Sequence, residues 1–273
     1  MATEKTYPLE FDSSRCTLRL LSYNIQVGIP SKRYSDYITH GWKHLLPHRE
    51  RHDNLSRIAG IIKDFDVVGL QELDSGSLRS GFVNHAQFLA DMAGFPHWYD
   101  KTNRNWGSFA RHSMGVLSRY PSNGVSRHDL PGRVPGRGAL AVRFGRISDP
   151  LVVVLVHLSL GKKARTQQIR FMSDLVNRYN HVILMGDFNC DAGSEEFGNL
   201  IAGTGLSLPH AGLLTYPSWK PTKHIDHILV SKSIQVNDMQ VLDYPLSDHL
   251  PLSMEVSLPR EVFMPEPAQC RAA

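Results

Sequence analysis

HVILMGDFNC, residues 181–190, begins as a buried β-strand and ends as something else. Val182, Ile183, Leu184 and Met185 form a short apolar run of the kind a sheet core takes. At Gly186 the run breaks, and the chain presents Asp187 and then Asn189. An apolar strand that finishes on a carboxylate and a carboxamide either closes with an ordinary turn or delivers chemistry to the edge of a sheet.

The same form recurs along the chain. TLRLLSYNIQVG (17–28) alternates apolar and polar residues and passes through Asn24. DVVGLQELD (66–74) is a short buried strand that exits through Glu72, and PLVVVLVHLSLG (150–161) carries His157 near its end. HIDHILVSKSIQVNDMQVL (224–242) reads as two strands and contains Asp226. LSDHLPL places Asp248 and His249 just before a last strand within 250–258. Strands are also expected within 112–121 and 137–145, between Pro and Gly punctuation. Helices are expected over 48–65, 84–94 and 164–179, where apolar residues fall at helical spacing.

Each polar strand end has a plainer reading. A lone Asn such as Asn24 commonly satisfies local backbone, a Glu after a strand is commonly solvated, Asp–His is a frequent turn, and His157 alone reads as a satisfied core histidine. Repetition favours a shared purpose, because burying that many ionisable groups separately is costly. Carboxylates and amide oxygens without cysteine suit a hard cation, Mg²⁺ or Mn²⁺. Histidines beside carboxylates are tuned towards neutral pH or held charged against an anion. Together they fit metal-assisted attack of water on phosphorus.

The totals agree with this class of protein. The chain has 273 residues, 41% hydrophobic and 21% charged, enough for a sizeable core in an α/β or two-layer β domain. Thirty basic against 26 acidic residues give +4, which tolerates phosphate-bearing partners without being a polybasic footprint. Three widely spaced cysteines (Cys16, Cys190, Cys270) support neither a disulfide framework nor a structural zinc site. MATEKTYPLEFDSSRC has no apolar leader and no stretch reaches the length of a membrane span, so a cytoplasmic protein without stable membrane insertion is expected. Neither a linker nor a repeat is evident. One domain over 1–273 is expected, with a core of about 16–258 and an irregular tail at 259–273.

SYNIQ, GLQELD, GVLSRYP, VHLSLG, MGDFNCD, HIDHILVS and SDHLPL occur in that order across nearly the whole chain. Together they resemble the endonuclease/exonuclease/phosphatase superfamily, which includes deoxyribonuclease I, AP endonucleases, neutral sphingomyelinases and inositol-polyphosphate phosphatases. The resemblance implies a four-layer α/β sandwich, two packed mixed β-sheets flanked by helices, with the site at one end. It implies Mg²⁺ (Mn²⁺ in its place) near Glu72, Asn24 and Asp248, and phosphate near His157 and Asn189. Asp187 is implied to activate or orient water, and Asp226 to orient His249, which holds phosphate or acts in acid–base exchange. Arg137, in RVPGRGAL, has two readings, a phosphate contact or a solvated loop residue.

A phosphodiesterase is the reading these segments imply, with a nuclease on DNA or RNA, or an inactive binding protein on the same scaffold, as alternatives. The substrate is expected to be a phosphoester (a lipid headgroup, a small phosphodiester or nucleic acid), with no obligate protein partner. His157 stands where AP endonucleases of the group generally have tyrosine. KTNRNWGSFARHSMG (101–115) reads as a substrate-contacting loop or a loosely packed surface segment. Residues 28–50, with Tyr34, Tyr37, Ile38, Trp42, Leu45 and Leu46, read as an insertion that meets a membrane surface or packs as a lid.

Overall fold

The computed structural model describes residues 16–28, 49–132, 136–210, 212–262 and 264. The elements are β1 (Thr17–Asn24), α1 (Arg49–Ile62), β2 (Val67–Asp74), α2 (His85–Ala93), β3 (His97–Asn105), β4 (Arg111–Ser118), β5 (Ser122–Asp129) and β6 (Gly138–Phe144). They continue with β7 (Leu151–His157), α3 (Lys162–Val176), β8 (His181–Asp187), α4 (Glu195–Thr204), β9 (Asp226–Val230), β10 (Gln235–Val241) and β11 (Leu252–Ser257). One sheet runs β10-β11-β1-β2-β4-β3 and the other β5-β6-β7-β8-β9. Both are mixed, because β1 pairs β2 and β7 pairs β8 in parallel while the remaining pairs are antiparallel.

Side-chain alternation builds the layers. In β1, Leu18 and Leu20 enter the core between the sheets, while Leu21 and Tyr23 face the layer with Leu55 and Ile58 of α1 and Leu89 of α2. In β7, Leu151, Val153 and Leu155 face inward, and Val152, Val154 and Val156 meet Ile169 and Met172 of α3 and Phe197 of α4. A strand covered on both faces has no use for polar alternation, which is why β7 and β8 read as continuous apolar runs. The result is a four-layer α/β sandwich with two mixed sheets inside and helices outside.

The expected strands and helices are present with small shifts at their ends. Residues 101–115 differ from a loop: β3 runs to Asn105, β4 starts at Arg111, and only Trp106–Ala110 turns between them. β3, β5 and α4 are additional to the expected elements. The insertion read over 28–50 and the tail beyond Met264 lie almost wholly outside the described residues.

Candidate active site

The inward parity of the strands decides where the polar residues go. Asn24 continues the row of Leu18 and Leu20, His157 that of Leu151, Val153 and Leu155, Asp187 that of Ile183 and Met185, and Asp226 that of Ile228 and Val230. Each therefore stands at the end of a row that elsewhere makes the inner core, Asp226 at its start and the others at its finish. In the second sheet the register places His157 beside Asp187 and Asp187 beside Asp226. Across the gap between sheets, Asn24 Nδ2 donates to Asp187 Oδ2 at 3.1 Å. All four side chains are buried.

Gly186 makes this approach possible. Its φ is +144°, and a Cβ there would sit 2.0 Å from the Val156 carbonyl oxygen. Glu72 leaves β2 differently. The β2–β4 register shifts between Leu70 and Leu73, and Glu72 adopts φ 54°. This left-handed bulge residue turns its half-exposed carboxylate towards His157 Nε2, 3.8 Å away. Asn189, at φ 51°, folds back: its N–H donates to Asp187 Oδ1 at 2.9 Å, and its Nδ2 donates to the Leu158 carbonyl at 2.9 Å and Asp187 Oδ2 at 3.3 Å.

Asp248 and His249 arrive on the loop before β11, which Ser247 fastens to β1 through a 2.6 Å bond from its Oγ to the Asn24 carbonyl. His249 Nδ1 meets Asp226 Oδ2 at 2.8 Å, and its Nε2 lies 4.0 Å from Asp187 Oδ2. Thr215 Oγ1 also donates to Asp226 Oδ2, and the Tyr216 ring lies 4.9 Å from the His249 ring. Thr215, Tyr216 and Ser247 were not found by sequence reasoning. Thr215 and Tyr216 lie in a loop with no motif of their own, and Ser247 gave no signal beyond its place in SDHLPL. Arg137 reaches His157 rather than solvent: its Nη1 is 2.9 Å from Nδ1 and also contacts Nε2.

These groups line one open cavity of about 600 Å³, which Glu72, His157, Asp187, Asn189, Asp248 and His249 share. Burial, with Asp226 and Glu72 nearby, pushes Asp187 up to about 7, although His249 opposes it. Burial and Glu72 likewise raise Asp248 to about 6. For His249, burial works downward, but Asp226, its hydrogen bond and the charges of Asp187 and Asp248 prevail and raise it to about 10. Burial and the Arg137 charge hold His157 well below the usual histidine range, as a neutral ring.

The donor set suits a hard divalent cation. Four carboxylates, Glu72, Asp187, Asp226 and Asp248, gather here, and Glu72 and Asp226 both raise Asp187 and Asp248 by repulsion, which a cation would relieve. Among the described residues, the His/Cys/Asp/Glu group with ligand atoms within 4.8 Å of one another is Asp187, Asp226 and His249. Because His249 is held charged against Asp226, that group has the chemistry of an acid–base pair more than of a metal cage. Cys190 also lines the cavity, and burial lifts its thiol to about 11, which keeps it protonated at neutral pH when no metal is bound. Asn24 Oδ1 accepts from the Gln26 N–H at 3.2 Å, so its carboxamide is already fixed in direction.

No curated protein matches the sequence. Solved structures show the same fold. An endonuclease/exonuclease/phosphatase family protein from Bacteroides thetaiotaomicron superposes with a TM-score of 0.67 at 18% identity, covering 89% of this chain and 98% of that one. A mannosyl-6-phosphatase from the same organism gives 0.64 at 19% identity (88% and 99% covered). The human Nocturnin catalytic domain gives 0.64 at 15% (88% and 94% covered). The model of the Endonuclease/Exonuclease/phosphatase family matches residues 21–249, from β1 through His249 and across every strand-end residue described above, and the chain belongs to that family.

Proposed function

We propose that the chain is a Mg²⁺-dependent phosphodiesterase (Mn²⁺ serving in its place) that directs water onto the phosphorus of a phosphoester. The observation that carries this reading is the convergence of Asp187, His157, His249 and Glu72 on one cavity, with Asp226 behind His249. Asp187 is poised near 7, while His249 keeps its proton to about 10. A carboxylate that titrates near neutrality beside an imidazolium that keeps its proton can divide the roles of base and acid.

Asp187 has the pKa of a base working at neutral pH, and it is aimed by Asn24 Nδ2 and the Asn189 N–H. It would orient the attacking water and take its proton. Asp226 and Thr215 hold His249 by its Nδ1 side, which leaves Nε2 facing the cavity. From there the charged ring would offset phosphoryl charge and supply a proton to the leaving oxygen. His157, held neutral, would bind a phosphoryl oxygen without acting as the acid, with Arg137 and Asn189 as further phosphate contacts. Glu72, with Asn24 and Asp248, would hold the cation, which when bound supplies charge neutralisation at the phosphoryl group.

The intact polar set supports an enzyme over an inactive scaffold. Hydrolysis of bis-p-nitrophenyl phosphate with and without Mg²⁺, with Asp187→Asn as the blank, tests the reading. Turnover that ignores both Mg²⁺ and that substitution would contradict it.

A further inference from the structure

Beside the catalytic cavity lies a second, smaller one of about 190 Å³. It shares Glu72, Arg137 and His157 with the first and extends over Asn103, Arg104, His112, Ser113 and Gly136. It is too small for a whole organic ligand and large enough for one polar group.

Two guanidiniums face this space without a carboxylate in an ion pair among the described residues, Arg104 and Arg137. The Arg104 guanidinium lies over the Trp106 ring, 4.3 Å from its centroid. Gly136, at φ +108°, makes room for the Arg104 stem, since a Cβ there would meet Arg104 Cδ at 3.2 Å. Two polar atoms of this lining are buried with no hydrogen-bond partner, the Ser113 hydroxyl and Asn103 Oδ1, and of these only the hydroxyl can donate to an anion. Ser113 is 2% exposed, so its hydroxyl lacks a protein partner and has little access to water. The one carboxylate on the wall, Glu72, belongs to the shared edge. Two guanidiniums with no carboxylate partner, of which Arg137 also contacts His157, and an orphaned hydroxyl are the donor set of an oxyanion.

We propose that this cleft is a second anion subsite, which holds a further phosphate group of the substrate beside the scissile one. The proposal deepens the phosphoester reading and rests on it, since the adjoining cavity is taken as the scissile-phosphate site. A second phosphate has two sources, the flanking phosphate of a nucleotide chain or a terminal phosphate of a bisphosphorylated small molecule.

Calorimetric binding to the divalent-free protein separates them. Thymidine 3′,5′-bisphosphate is compared with thymidine 5′-monophosphate, and fructose 1,6-bisphosphate with fructose 6-phosphate. At least one bisphosphate should bind on the order of tenfold more tightly than its monophosphate, the scale of one charge-assisted contact. That preference should be lost in Arg104→Gln and weakened in Ser113→Ala. It should persist in Lys232→Gln, which removes an exposed positive charge in the β9–β10 turn. The pair that shows the preference identifies the source. Equal binding within both pairs, or a preference that survives Arg104→Gln, overturns the subsite. A preference that behaves as stated in a protein that cleaves neither bis-p-nitrophenyl phosphate nor nucleic acid nor phospholipid would instead leave the subsite standing and remove the hydrolase reading.

Discussion

His249 Nδ1 lies 2.8 Å from Asp226 Oδ2, a contact that joins the loop before β11 to the first residue of β9. Both side chains are buried, so the contact is made away from bulk water. This contact keeps a proton on His249 well above neutrality against the pull of burial.

Asp226→Asn is therefore expected to lower kcat by about 10²–10⁴-fold and to move the alkaline limb of the pH–rate profile to lower pH. The sign for stability follows from the same shift. The folded pKa of about 10 exceeds the ordinary histidine value of 6.5, so the pair's contribution is complete below about 6.5 and disappears as pH rises through about 10. Thermal melts across that window should show the wild type losing its advantage over Asp226→Asn. A constant difference from neutral to alkaline pH would contradict the pairing.

Asp187 and Asp248 carry the same sign in a lower pH window. Their folded pKa values of about 7 and about 6 lie above 3.8, so without a cation each group's contribution to stability falls as pH rises through those values. A bound cation must displace those protons. The rise in melting temperature on adding Mg²⁺ should accordingly be larger at pH 8 than at pH 5.5, and Glu72→Ala should shrink it at both. An equal rise at the two pH values would argue against carboxylates as the binding groups.

Gly186→Ala tests the strand end itself. A Cβ 2.0 Å from the Val156 carbonyl, at φ +144°, forces β8 away from β7. A loss of roughly 3 kcal/mol or more is expected, seen as a marked fall in melting temperature or in soluble yield. An unchanged melting temperature would mean that the two strands can separate without cost.

Thr215→Val removes one bond to Asp226 and keeps the shape of the side chain. Activity should fall about tenfold, the scale of one hydrogen bond to a charged group, with His249's alkaline limb shifted less than in Asp226→Asn. Wild-type kinetics in this variant would show that Asp226 is held without it.

How much of this was legible in the sequence depends on burial. β7 and β8 announce themselves because both faces are covered, and their polar last residues stand out against the apolar run. β3 and β5 did not, because each is a sheet edge with a partly exposed face and its sequence is correspondingly polar. α4 is short and carries Gly198 and Gly203, which weaken the helical pattern, although Ser194 caps it through the Phe197 N–H. The strand-end residues were readable one by one. That Asn24, His157, Asp187 and Asp226 share the inward face follows from strand parity, but the contact of Asn24 with Asp187 across the two sheets needed the packing. The contact of Arg137 with His157, 20 positions apart, depends on the side-chain path from the start of β6, which no motif encodes.

The most direct test of the account is the rate of Mg²⁺-dependent phosphoester cleavage at neutral pH, wild type against Asp187→Asn. The substrates are plasmid DNA, single-stranded DNA, RNA, sphingomyelin, glycerophospholipid and bis-p-nitrophenyl phosphate. The account predicts turnover of at least one that needs the cation and falls by three orders of magnitude or so in Asp187→Asn, with the fold retained. Wild-type turnover in Asp187→Asn, or cleavage indifferent to chelation of divalent ions, would contradict it.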